Sequence, residues 1–223
     1  MLARLLPRAA VAVEAFGDRP GAALFPAEEA AVARAADQRR REFATGRACA
    51  REALARLGVP AAAIVPGTGR EPGWPDGVVG SITHCDGYRA CAVARRADLA
   101  ALGVDAEPDG PLPGGVLERV ASPAERAQLA ELAAAVPGGP CFGRLLFSAK
   151  ESVYKAWYPL TGRWLGFGDA AVTINADGAA AGTFTAELAV PGPVVDGRAL
   201  TGFAGRWLAG AGLVVTAIAV PAG

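Results

Sequence analysis

Lysine and histidine, two side chains that soluble proteins normally use freely, are nearly missing from this chain of 223 residues. Of 22 cationic side chains only Lys150 and Lys155 are lysines, and His84 is the one histidine. Every other cation is arginine. Two ammonium groups kept in one segment point to a place where a compact charge serves and a planar guanidinium does not. A net charge of either sign is lacking as well, since 22 Lys+Arg balance 22 Asp+Glu. That balance excludes a basic nucleic-acid coat and an acidic tail, so bulk charge recruits no partner. Cysteine is sparse: Cys49, Cys85, Cys91 and Cys141 form no C-x-x-C pair. Their spacing argues against a disulfide framework or a zinc site and suits buried thiols in a reducing cytoplasm.

Long hydrophobic runs are also wanting. Gly212 to Val220 is too short to span a bilayer, and Pro7, Arg8 and Glu14 leave only Ala9 to Val13 as an apolar stretch, too short for a signal peptide. A cytoplasmic protein without a membrane segment is expected. What is abundant is apolar residue (52%), with 29 Gly and 17 Pro scattered without a G-X-Y period. This describes a folded, turn-rich chain. At roughly 150 residues per domain, the length allows one large domain or two small lobes.

Pro26 to Arg41 carries a helical pattern, and Thr45 can N-cap a second helix over Gly46 to Leu57, closed by Gly58 and Pro60. Gly67 to Gly77 is crowded with Gly and Pro and reads as a loop, with Trp74 as its packing anchor. Val78 to His84 and Cys91 to Arg96 flank an Asp86-Gly87 turn and read as a hairpin, with Ala101 to Glu107 as a third strand. Ser122-Pro123-Ala124-Glu125 combines an N-cap, Pro at N1 and Glu at N3, starting a helix that runs to about Val136. Another helix covers Ser148 to Tyr158, extending back toward Phe142. Ala170 to Ile174, Gly182 to Val190, Leu200 to Leu208 and Gly212 to Val220 read as closing strands. Helices then strands, twice over, indicate an α+β protein of two similar-sized lobes, residues 1–101 and 102–223. No sequence repeat between the halves is evident, so the duplication rests on element order.

Three constellations can carry chemistry. Asp105 and Glu107 alternate at the end of a strand and therefore share a face, as ligands of a hard divalent cation would; two solvated acids before a loop give the same pattern. In Phe147 to Trp157, Ser148 and Glu151 fit a capping box and Glu151 with Lys155 an i,i+4 ion pair, which leaves Lys150 unexplained. Gly80, Ser81, Thr83 and His84 offer hydroxyls, open backbone and an imidazole suited to phosphate oxygens, although a lone histidine is more often structural. Upstream, Arg34 to Arg56 holds seven arginines against Asp37, Glu42 and Glu52. Such a helix can be a solvated face, or it can clamp a polyphosphate.

The segments REFATGRACAREAL, PGWPDGVVGSITHC, LGVDAEP and FSAKESVYKAW, in this order from about Arg39 to Phe167, resemble the Sfp-type 4′-phosphopantetheinyl transferases, and within them the EntD-like group with its mycobacterial relatives. The resemblance implies a monomer of two α/β lobes related by a pseudo-twofold, with coenzyme A and Mg²⁺ in the cleft between them. It implies transfer of 4′-phosphopantetheine from coenzyme A to a serine of an apo acyl or peptidyl carrier protein, releasing adenosine 3′,5′-bisphosphate. Asp105, Glu107 and Glu151 match the metal-binding acids, and Lys150 and Lys155 the lysines beside the phosphates. Arg39 and Arg47 match residues holding the nucleotide phosphates, and Ser81, Thr83 and His84 match the coenzyme-binding strand. One position departs: mycobacterial relatives carry a lysine where this chain has Gly69, and Arg70 beside it is the candidate replacement.

The chemistry agrees with this reading. Attack of an alcohol on a diphosphate needs charge neutralisation more than covalent help. Glu151 is the candidate acceptor of the serine proton, and Lys155 the cation facing the leaving phosphate. A Mg²⁺-dependent phosphohydrolase would use the same residues with water as nucleophile, and a non-catalytic coenzyme A-binding regulator would keep only the binding half.

Overall fold

The computed structural model describes all residues, Met1–Gly223. Its architecture is α+β, as expected: helices α1 (Pro26–Ala31) and α2 (Asp37–Arg56) accompany a first sheet, and α3 (Val116–Val120), α4 (Pro123–Ala135) and α5 (Phe142–Thr161) a second. The first sheet has the order β1-β3-β2, formed by β1 (Ala10–Phe16), β2 (Val78–Cys85) and β3 (Tyr88–Arg95). The second comprises β4 (Leu99–Pro108), β5 (Ala170–Ala176), β6 (Ala181–Leu188), β9 (Gly202–Gly210) and β10 (Leu213–Pro221), in the order β4-β10-β9-β6-β5. A two-residue pair, β7 (Val194–Val195) and β8 (Arg198–Ala199), decorates one connection. No helix is long and apolar enough to cross a membrane.

Strand alternation sorts side chains into layers. In β3, Cys91 and Val93 face α2, where they meet Cys49, Ala50, Ala53 and Leu54, while Tyr88, Ala90, Ala92 and Ala94 face the second sheet. There they pack on Leu102, Val104, Val215 and Ala217. The opposite face of the second sheet, with Val214, Ile218 and Val220, packs on α5 through Leu145, Ala149, Val153 and Trp157. The order is therefore helix, sheet, sheet, helix, and the middle core draws on both halves of the chain. β4 begins at Leu99, so the division expected between residues 101 and 102 falls inside that strand.

Two glycines fix close approaches. A Cβ on Gly103 would sit 2.0 Å from the carbonyl oxygen of Ser152, so α5 can lie directly on β4 only because position 103 is bare. Gly80 likewise leaves room for the ring of Trp74, whose Nε1–H donates to the Gly80 carbonyl at 3.0 Å and anchors the Gly67 to Gly77 loop as expected.

Several local expectations need correction. The helix expected over Pro26 to Arg41 breaks after Ala31, and α2 runs unbroken from Asp37 to Arg56. Thr45 is therefore mid-helix, and its hydroxyl accepts the backbone N–H of Arg19 at 3.0 Å rather than capping a helix. Two helices do not open the fold, because β1 precedes them, paired along β3. Only Cys49 and Cys91 of the four free thiols are fully buried; Cys85 and Cys141 are half-buried. The halves share one short local feature. Pro26-Ala27-Glu28 and Pro123-Ala124-Glu125 open α1 and α4 identically, and each glutamate accepts the N–H of the residue preceding its proline.

Candidate active site

β4 is an edge strand of the second sheet, and its outward N–H groups need partners. β2 supplies them through side chains: Ser81 Oγ accepts from Val104 N–H and Thr83 Oγ1 from Ala106 N–H, both at 3.0 Å. This stitched seam floors a cleft of about 790 Å³. Ser81 lines it, whereas Thr83 lies beneath, donating to Asp105 Oδ1 at 3.3 Å.

Asp105 and Glu107 point from β4 to the α5 side and line the cleft together with Glu151 and Lys155 of α5. Asp105 is 4% exposed. Lys155 Nζ donates to its Oδ1 at 2.7 Å, while Oδ2 is buried without any hydrogen-bond partner. Glu107 accepts from Arg144 at 3.0 Å, yet burial and the Asp105 charge push its carboxyl up to about 7. The same two causes, in the same order, raise Glu151. The expected Glu151–Lys155 pair along α5 is replaced by the Lys155–Asp105 contact, because an ammonium gains more from a buried carboxylate than from a helix neighbour.

Arginines line the same cleft. Arg47 is only 6% exposed and lacks a carboxylate partner; its Nε–H donates to the Ile64 carbonyl at 2.8 Å and its guanidinium lies 3.9 Å over the Phe43 ring. Desolvation lowers it to about 10, and both terminal nitrogens stay without a protein acceptor. An arginine so placed favours an anion. Arg39 donates to His84 Nε2 at 2.5 Å, while Nδ1 sits 3.5 Å from Glu42. Desolvation, then the Arg39 charge, bring His84 down to about 4, so it acts as a neutral imidazole. Arg70 enters the cleft lining from a left-handed backbone (φ 67°). Next to it a Cβ on Gly69 would lie 2.1 Å from the Tyr158 ring, so tyrosine occupies the space a side chain at 69 would need.

Lys150 does not join this set. It is 5% exposed and turned into the second half of the molecule, where Nζ meets Glu125 at 2.8 Å and donates to the Phe167 carbonyl at 2.7 Å. Ser148 caps nothing. α5 starts at Phe142, and Ser148 Oγ shares a hydrogen bond with Thr216 Oγ1 at 3.0 Å inside the core, which removes the capping box expected with Glu151. Sequence reasoning overlooked Arg144, which holds Glu107, and the aromatic wall of Phe147, Tyr154 and Trp164. Trp164 is 77% exposed against Tyr154, and only its place beside a cleft gives it meaning.

The donor set suits a hard divalent cation in part. No three His, Cys, Asp or Glu side chains in the chain close into a ready ligand cluster. Even so, an orphaned carboxylate oxygen beside two carboxyls that repel it is an all-oxygen set short of positive charge. Such a set leaves places for substrate oxygens and water, as magnesium prefers.

Comparison with known proteins agrees with this geometry. Residues 27–94 match the 4′-phosphopantetheinyl transferase N-terminal domain, and residues 101–192 the 4′-phosphopantetheinyl transferase superfamily. The chain is 60% identical over 225 residues to 4′-phosphopantetheinyl transferase Svp of Streptomyces mobaraensis, covering 100% of this chain and 90% of that protein. It is 47% identical over 206 residues to 4′-phosphopantetheinyl transferase PptT of Mycobacterium tuberculosis, covering 92% and 89%. A partial match of 36% identity over 132 residues, covering 54% and 49%, links it to enterobactin synthase component D of Salmonella typhi. Arginines and carboxylates lining one cleft, and relatives aligned along the whole chain, have one common explanation: the chain belongs to the 4′-phosphopantetheinyl transferase family.

Proposed function

We propose that this enzyme moves 4′-phosphopantetheine from coenzyme A to a serine hydroxyl of an apo acyl or peptidyl carrier protein, with Mg²⁺ as cofactor and adenosine 3′,5′-bisphosphate as the product released. The observation that carries the reading is the polarity of one cleft. Arg39, Arg47 and Arg70 line it together with Asp105, Glu107, Glu151 and Lys155, and one further acid, Glu71, sits beside Arg70. A polyanion bridging a cation site fits such a cleft.

In this reading Arg47 offers its two free nitrogens to coenzyme A phosphates, with Arg39 and Arg70 lining the same cleft, as do Ser81 and neutral His84, while Thr83 stays beneath it and acts through Asp105. Asp105 Oδ2 and Glu107, with Glu151 alongside, would hold the cation, which when bound supplies charge neutralisation on the diphosphate. Glu151 forms no ion pair with the protein and its carboxyl is raised, which suits a proton acceptor for the incoming serine. As the new serine O–P bond forms, the bridging P–O bond breaks, and Lys155 is placed to meet the negative charge of the departing phosphate. Lys150 acts in this scheme by holding α5 through Glu125. The shared Pro-Ala-Glu helix starts are consistent with two halves related by duplication.

Intact-mass spectrometry tests the proposal: an apo carrier protein incubated with the enzyme, coenzyme A and Mg²⁺ gains one phosphopantetheine. Hydrolysis of coenzyme A without carrier modification would instead assign a phosphohydrolase, and no change in either would assign a regulator.

A further inference from the structure

Glu28 is a carboxylate with 0% exposure that no part of the reaction requires. Its oxygens are fully engaged. Oε1 accepts Ile64 N–H at 2.9 Å, Oε2 accepts Phe25 N–H at 2.9 Å, and Arg51 of α2 pairs with Oε2 at 2.9 Å. Ile64 lies in the connection after α2, outside any helix or strand, and its other backbone group, the carbonyl, is the one that accepts Arg47 Nε–H at 2.8 Å. We propose that Glu28 is a positioning residue of the anion site, setting the guanidinium of Arg47 through Ile64.

The coupling is mechanical and electrostatic. Core packing holds the fully buried Ile64 side chain and a short bridge pairs Pro66 with Pro72 just beyond it, but the backbone N–H and carbonyl of Ile64 itself are held only by Glu28 and Arg47. Glu28 pins Ile64, and Ile64 with the Phe43 ring fixes the plane of Arg47, so that its two terminal nitrogens are left for the ligand. Glu28 also neutralises Arg51, one helical turn from Arg47, which would otherwise repel a desolvated cation. The second half repeats the device: Glu125, in the matching Pro-Ala-Glu, accepts Val172 N–H at 2.9 Å and pairs with Lys150, the residue before Glu151. A buried glutamate thus sits behind the long helix on each side of the cleft.

The inference rests on the reading that Arg47 holds coenzyme A phosphates, and a double-mutant cycle separates the two. Arg47→Ala tests that reading by itself: an unchanged KM for coenzyme A overturns it and takes the inference with it. Given a raised KM there, Glu28→Gln is expected to raise the KM for coenzyme A about tenfold, the scale of one misaligned charge-assisted hydrogen bond, with kcat and the KM for the carrier little changed. In the Arg47→Ala background the same substitution is expected to add nothing. A Glu28→Gln protein that melts earlier but keeps its coenzyme A KM, or whose effect is undiminished without Arg47, overturns the proposal. Should Glu28→Gln not fold, Glu28→Asp, which keeps the charge for Arg51 but shortens the reach to Ile64, carries the same expectations.

Discussion

Lys155 Nζ stands 2.7 Å from Asp105 Oδ1, joining α5 to the edge strand of the second sheet at the cleft. This contact turns one oxygen of Asp105 toward an ammonium and leaves the other without a partner. A fixed ammonium and an unpartnered carboxylate oxygen are thus adjacent, and the proposed cation site rests on that pair.

Lys155→Met is expected to lower kcat by roughly 10² to 10³, the usual loss when a fixed charge-stabilising donor is removed, with a smaller change in the KM for coenzyme A. Lys155→Arg should recover only a small part, because a planar fork does not fill the place of a compact ammonium over a 4%-exposed carboxylate. Steady-state kinetics of both variants check this, and full activity of the arginine variant would count against a specific role for the ammonium.

Gly103→Ala tests the closeness of α5 to β4. Its new methyl would meet the Ser152 carbonyl oxygen at 2.0 Å and the Ala156 amide nitrogen at 2.8 Å, so the helix must back away. Overpacking of this kind costs about 1–3 kcal/mol, and the displaced helix carries Glu151 and Lys155 with it. Thermal stability and kcat should fall together, whereas an unchanged melting temperature would mean that α5 is free to slide.

The sequence made the hairpin legible through its Asp86-Gly87 turn, although the second strand begins at Tyr88 rather than at the expected Cys91, and it made α4 legible because Ser122 and Glu125 form a true capping box. Asp105 and Glu107 could be put on one face by alternation alone. Partner choice could not be read. The i,i+4 rule pairs Lys155 with Glu151, but tertiary burial gives it Asp105, and Lys150 finds Glu125 25 positions away. The break after Ala31 carried no stop signal either, since Val32 to Ala36 is as alanine-rich as the helices around it.

Lys150→Met separates a structural lysine from a phosphate ligand. Removing one partner of a buried pair strands Glu125, at a cost of about 3–5 kcal/mol. A large drop in unfolding free energy with an unchanged KM for coenzyme A is therefore expected, measured well below the lowered melting temperature. A raised KM at unaltered stability would return Lys150 to the phosphates.

The cleft also leaves opposite marks on the pH dependence of stability in the absence of divalent cations. His84 titrates at about 4 in the folded protein against an ordinary 6.5, so unfolding takes up a proton between those values and stability falls as pH drops through that window. Glu107 titrates at about 7 against an ordinary 4.5; here the folded state holds the extra proton, and stability falls as pH rises from 4.5 to 7. Thermal melts in a chelator should show Glu107→Gln more stable than the parent at pH 8 and matched to it near pH 4, since glutamine still accepts from Arg144 without the charge that Asp105 repels. His84→Gln should show the reverse pattern, gaining near pH 4 and matching the parent at pH 8. Added Mg²⁺ should stabilise the parent at pH 8 and leave Glu107→Gln nearly unmoved; equal stabilisation of both would remove Glu107 from the cation site.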